Sequence, residues 1–281
     1  MAQRIRYVDA SGRSFPPGRA AAWTALFAGA TGLAAPQPSR IHTVDAPGRV
    51  KPLPAAAVLA LLVVLATVLR AIGLGTEVWL DEMYTSILAL RPSFLELLTV
   101  YNGDNQHPLY SLLGHLSIVL FGESPWSIRL PALVFGVASV PMLYVLGRQV
   151  ATRREALLAA ALLAVSYHHI WFSQNARGYT MLAFFAMLAT HLLLRGVRHG
   201  RRRDFLGYAV AVALGIFTHL TMVFVVAAHV LICAWLAFIT PRERRLDWRL
   251  PLLGFTVGGV LTLALYAPIM TQVLAWFLHR P

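Results

Sequence analysis

Residues 108–121, PLYSLLGHLSIVLF, decide how this chain folds. The stretch is apolar and opens on a proline, a residue suited to a first helical turn. A helix that crosses the hydrocarbon core needs about 20 residues, so this one reads as a re-entrant or interfacial helix. Seven other apolar runs have the character of spans, near 53–72, 126–148, 155–172, 179–195, 205–218, 221–239 and 250–269.

Charge supports leaving 108–121 out of that set. With the N-terminus on the cytoplasmic side and seven crossings, 19 basic residues fall inside. Five (Arg70, Arg91, Arg129, Arg177 and Arg280) fall outside or near the outer ends. If 108–121 also crossed, three arginine-rich connections would move outside, against the positive-inside rule. These are the connections around Arg148/Arg153/Arg154, Arg195–Arg203 and Arg242–Arg249. The fold class expected is therefore all-α: a polytopic bundle of about seven spans, with a long outer first loop carrying interfacial helices.

Composition agrees. Apolar residues make up 58% of the 281 residues and charged ones 13%, against about 45–50% and about 25% in soluble domains. The net charge of +12 would suggest nucleic acid in a soluble protein; here membrane orientation accounts for it, and no nucleic-acid partner is expected. The lone Cys233 excludes both a disulfide framework and a thiolate metal site. Residues 20–35 form a short apolar run, but a long segment precedes it and Pro36 and Pro38 follow. Residues 1–52 are accordingly expected to be a basic cytoplasmic tail with little fixed structure, and 53–281 the transmembrane module.

The outer loop, 73–125, holds Glu77, Asp81, Glu82, Glu96, Asp104 and Glu123, six of the chain's twelve acids. Within it, 82–91 and 93–101 have the apolar spacing of short amphipathic helices. Met83, Ile87 and Leu90 share one face, and Phe94, Leu97 and Leu98 another. Asp81 and Glu82 stand at the first helix start, behind Val78-Trp79-Leu80. Helix capping explains one acid there; two acids with an apolar brace also suit catalysis, and the residues alone leave both readings open.

Further polar groups gather on the same face. Asp104 and His107 precede Pro108, with Tyr110 just beyond; Arg177 lies in SQNARGY and His219 in FTHLT, each at an outer span end. A histidine at a helix end commonly makes only a local hydrogen bond. The positive-inside rule gives Arg177 no role there, and a guanidinium suits a phosphate or carboxylate.

At these residues the chain resembles the GT-C glycosyltransferases, in particular the family of protein O-mannosyltransferases and bacterial aminoarabinose and lipopolysaccharide-core sugar transferases. The landmarks run in order: WLDEMYTSIL (79–88), DNQHPLYSLLGHL (104–116), FGESPWSIRLPALVFG (121–136), SQNARGYTML (173–182) and THLTMVF (218–224). The resemblance covers about 53–270. The sequence departs from the family pattern at Leu109, where a second proline is usual, and near Asn175 and Gly178, where an acid and a proline are common.

The resemblance implies a transferase that takes a sugar from a polyprenyl-phosphate carrier and passes it to a glycan, lipid or protein acceptor. The chemistry would sit on the outer face of a bacterial inner membrane. It implies Asp81 as general base with Glu82 in support. Arg177 is the first and Arg129 the second candidate for the phosphate, and Asp104, His107, His219 and Tyr110 line the substrate site. No cofactor is assigned with certainty; a divalent metal among Asp81, Glu82, Asp104 and His107 suits the ligand chemistry. Relatives commonly continue past the seventh span, so a second membrane subunit is an expected partner. The rival readings are a non-catalytic or split-enzyme module, and a transporter or flippase. Transporters place ionisable groups at mid-membrane, which these spans almost lack.

Overall fold

The computed structural model describes residues 7–8, 14–15, 53–101, 103, 106–239 and 247–278. The chain divides into two units, Met1–Pro52 with Ala234–Leu246, and Leu53–Cys233 with Asp247–Pro281. In the first, β1 (Tyr7–Val8) pairs antiparallel with β2 (Ser14–Phe15); the rest of the expected 1–52 tail lies outside the described residues.

The second unit is helical: α1 (Ala55–Ala71), α2 (Leu80–Thr85), α3 (Phe94–Thr99), α4 (Pro108–Phe121), α5 (Pro125–Val150), α6 (Arg153–Val165), α7 (Tyr167–Ser173), α8 (Tyr179–His199), α9 (Arg202–Thr218), α10 (Met222–Ile239, which runs into the first unit), α11 (Arg249–Tyr266) and α12 (Met270–Leu278). It is a multi-pass membrane fold. Among the described residues three helices, α5, α8 and the run from α11 into α12, are long and apolar enough to cross; α6 with α7 makes a fourth if the bent pair is one span. A helix stands at each of the seven expected positions, but length and composition support three or four crossings, not seven. The 14 residues of α4 reach about 21 Å, short of the ~30 Å core.

Local chemistry sets the helix starts. Ser124 Oγ accepts from the Ser127 amide (3.3 Å) ahead of Pro125 at the first turn of α5. Thr152 and Glu155 form a reciprocal capping box for α6, and Ser93 and Glu96 one for α3. Small residues let helices close up. Ala66, Val140, Ala160 and Ala164 make the core between α1, α5 and α6, and a Cβ on Gly147 would lie 3.1 Å from that of Ala156. A second core, with Ala189, Leu193, Phe205, Tyr208 and Val212, joins α8 and α9.

The span expected at 155–172 is broken. α6 and α7 meet at 58° across Ser166, and neither proline nor glycine lies at the break. Arg70, 0% exposed in the last turn of α1, bridges the break. Its guanidinium donates to the carbonyls of Leu163 and Ala164 at the end of α6, and to the Ala66 carbonyl, Ser173 Oγ and His169 Nδ1, at 2.9–3.1 Å. Gln174 secures the same corner from below, its Nε2 donating to the Leu69, Arg70 and Ile72 carbonyls at the end of α1.

The amphipathic helix expected at 82–91 starts earlier and changes pitch. α2 gives way to a π turn, Ser86–Leu90. Met83 and Ile87 stay exposed while Leu90 is fully buried, so the three do not share a face: the wider turn rotates Leu90 into the core against Gly114 of α4. In α3, likewise, Leu97 is buried and Phe94 exposed.

Candidate functional site

One end of the bundle gathers the end of α1, the starts of α5 and α8, and the junction of α9 with α10. α2 is fastened there by an ion pair. Glu82, 0% exposed, receives Arg129 Nε on Oε1 at 2.8 Å and Nη2 on Oε2 at 2.6 Å. The same carboxylate accepts from the amides of Ala176 (2.7 Å) and Trp79 (3.1 Å). Burial alone would raise its pKa; the Arg129 hydrogen bonds and the two amides outweigh that and hold it below the usual range. Arg129 spends its other donors on the Leu74, Thr76 and Glu77 carbonyls. Three segments, 74–82, the second turn of α5 and the 173–178 turn, are thus bound through one charge pair.

This geometry corrects two expectations. The Arg129 guanidinium has no N–H left for a phosphate, and the Glu82 carboxylate has four donors already. Both are positioning groups. Tyr110 is a third correction: its side chain is buried and its hydroxyl donates to the Ile128 carbonyl at 2.6 Å, so it braces α4 against α5 and does not face a substrate.

Asp81, next to Glu82, is exposed, and its carboxylate makes no hydrogen bond or ion pair among the described residues. One turn later Thr85 donates its hydroxyl to the Asp81 carbonyl (2.9 Å) and accepts from Arg177 Nη1 (3.4 Å). Arg177 is buried, and its guanidinium carbon lies 5.8 Å from the Tyr179 ring centre. α2 therefore carries an exposed carboxylate on one side and meets the buried guanidinium of Arg177 on the other.

Behind Arg177 stand two histidines. His107 is buried, its Nδ1 3.2 Å from the Thr218 carbonyl. A carbonyl only accepts, so Nδ1 carries the proton and Nε2 the lone pair. His219 has the opposite tautomer: its Nδ1 accepts from the Thr221 amide at 3.2 Å, leaving the proton on Nε2. The rings are 4.9 Å apart and both approach Tyr179, at 5.4 and 5.8 Å. Desolvation first, then His219 and Arg177, push the His107 pKa down to about 3. Desolvation and Arg177 lower that of His219. Both rings are neutral at pH 7. Gly178 makes the close approach possible: a Cβ there would lie 2.9 Å from Thr218 Cγ2 and 3.1 Å from His107 Nδ1.

Asp104 lies outside the described residues. Among those described, no three His, Cys, Asp or Glu side chains gather as a metal would require. Of the four ligands expected, Glu82 is taken up by Arg129 and two amides, and His107 Nδ1 by Thr218. Sequence reasoning missed Thr85 and Tyr179. Thr85 was within reach, four residues after Asp81 and so on its helix face; Tyr179 follows Arg177 by two.

The architecture is that of the GT-C glycosyltransferases. A chain of the Saccharomyces cerevisiae protein O-mannosyltransferase Pmt1-Pmt2 complex bound to the sugar donor superposes with a TM-score of 0.62 at 16% identity, over 81% of this chain and 35% of that one. The model of the dolichyl-phosphate-mannose-protein mannosyltransferase family matches residues 105–271, and the chain belongs to that family. It is also 27% identical over 111 residues to a Bacillus subtilis (strain 168) protein described as "Putative mannosyltransferase YkcB", covering 40% of this chain and 16% of that relative. The chain thus spans about a sixth of that relative and about a third of the yeast chain.

Proposed function

We propose that the chain carries the catalytic centre of a membrane glycosyltransferase. It moves a sugar from a polyprenyl-phosphate donor to an acceptor hydroxyl at the outer face of a bacterial inner membrane, with Asp81 as general base. The observation that carries this reading is the contrast between neighbours: Glu82 is consumed by the Arg129 clamp, while Asp81 projects uncommitted from the helix that the clamp immobilises. A base must be held still and left free to take a proton.

The acceptor oxygen attacks the anomeric carbon, and its proton passes to the Asp81 carboxylate. The bond from that carbon to the phosphate oxygen breaks, releasing polyprenyl phosphate and inverting the configuration. Arg177 is the cation proposed for the leaving phosphate, with the Nε2 proton of His219 as a second donor. His107 offers a lone pair to a sugar hydroxyl. The acceptor is a glycan, a lipid or a protein. A second membrane subunit is the partner proposed, supported by the yeast comparison chain, which is more than twice this length and belongs to a two-protein complex.

The test is transfer of label from a panel of polyprenyl-phosphate sugars in membranes carrying the wild-type chain or Asp81→Asn. The substitution should cut transfer about 10²–10⁴-fold with unchanged expression and membrane insertion. Full activity in Asp81→Asn ends the general-base assignment.

A further inference from the structure

α12 lies past the last expected span, where the sequence reading placed only closing residues. Its Gln272 nonetheless makes two contacts with the outer loop. Nε2 donates to the Thr99 carbonyl at 2.7 Å, and Oε1 accepts from the Tyr101 amide at 3.0 Å. One carboxamide thus pairs with residues 99–101 as a neighbouring strand would, through a donor and an acceptor held in one plane. Trp276, one turn on, meets the Tyr101 ring edge-on at 6.2 Å. It also covers Gly103, whose φ of +110° suits glycine and where a Cβ would lie 3.1 Å from the indole.

The loop is then closed from within. The Gln106 amide donates to the Gly103 carbonyl (3.1 Å), and its side-chain Nε2 to the Val100 carbonyl (3.3 Å). His107 follows directly, with its ring on the Thr218 carbonyl. Residues 99–101 are therefore gripped by α12, and Gln106 links them to His107, which is seated on α9. Leu98 and Tyr101 pack with Met270 and Val273 around Phe217, Tyr266 and Ile269, which ties the same two ends together apolarly.

We infer that Gln272 is a positioning residue for the candidate site: its carboxamide holds residues 99–101, which Gln106 ties to His107, and so fixes where His107 stands. The kinetic part of this inference rests on the transferase reading; the structural part does not.

Glutamate at 272 separates hydrogen bonding from packing. Ionised, it keeps the acceptor for the Tyr101 amide but turns a lone pair toward the Thr99 carbonyl. Protonated, it reproduces both contacts. The experiment measures amide exchange and donor kinetics of the full chain in membranes or nanodiscs at pH 8 and pH 5, with exchange corrected for its intrinsic pH dependence. Gln272→Ala should lose about tenfold of the amide protection at Tyr101 and Gln106 at both pH values, with α8 and α9 unchanged. Gln272→Glu should keep the Tyr101 protection at both pH values, because its carboxylate still accepts from that amide. The KM for the polyprenyl-phosphate sugar should rise in Gln272→Ala while kcat changes less. Unchanged protection in Gln272→Ala, or a loss at Tyr101 in Gln272→Glu as deep as in Gln272→Ala, overturns the inference. A wild-type chain that transfers no sugar counts against the proposed function, and the exchange measurement still decides the clamp.

Discussion

Glu82 and Arg129 stand 47 residues apart in sequence and meet as a two-pronged ion pair, 2.6 and 2.8 Å long, with both side chains 1% exposed. Breaking a buried pair from one side leaves a charge without compensation, at a cost of about 3–5 kcal/mol. Glu82→Gln should therefore lower the melting temperature or the yield of folded protein, whereas Asp81→Asn should leave both unchanged. Equal stability of the two variants in a detergent melting series would refute this division of labour.

Tyr110→Phe removes one hydroxyl and its hydrogen bond to the Ile128 carbonyl. The expected loss is about 1–2 kcal/mol of stability, with no change in the KM for the sugar donor. A KM rise of tenfold or more at unaltered stability would return Tyr110 to the substrate site.

Gly178→Ala places a methyl group between Thr218 and the His107 ring. Crowding of this kind costs about 1–3 kcal/mol, and here it falls on the contact that seats His107. Transfer should drop along with stability, and Gly178→Ser should be no better. A fully active Gly178→Ala chain would mean that the His107 position is not critical.

His107 should make the chain acid-sensitive. It stays neutral in the folded state down to about pH 3, while an unfolded histidine titrates near 6.5. Between those values the unfolded chain binds the extra proton, so stability falls as pH falls through that window. Melting temperatures of wild type and His107→Gln at pH 7 and pH 4.5 provide the check. Wild type should lose more on acidification, and parallel losses would contradict the assignment.

Much of this was legible in the sequence. Hydropathy located a helix at each expected span, the length of 108–121 marked α4 as short, and the acid pair after Trp79 marked the start of α2. Those are signals read within one segment. What escaped reading were pairings between distant segments. Whether Asp81 or Glu82 stays free depends on Arg129, and Tyr110 had every appearance of a site aromatic until its hydroxyl met Ile128. Gln272 is an ordinary polar residue in an apolar helix until it faces Thr99 and Tyr101. The turn from α2 into the π segment likewise follows from Leu90 finding a berth against Gly114, which no periodicity within 82–91 encodes.

Arg70 gives the molecule a cross-braced elbow. One guanidinium holds the carbonyls at the end of α6 and spends all five of its N–H groups across α1, α6 and α7. The turn that follows α7, which carries Ala176 and Arg177, is anchored from below like a fixed jaw. α2, by contrast, is fastened at its start through the Glu82 carboxylate, a single charge pair reinforced by two amides.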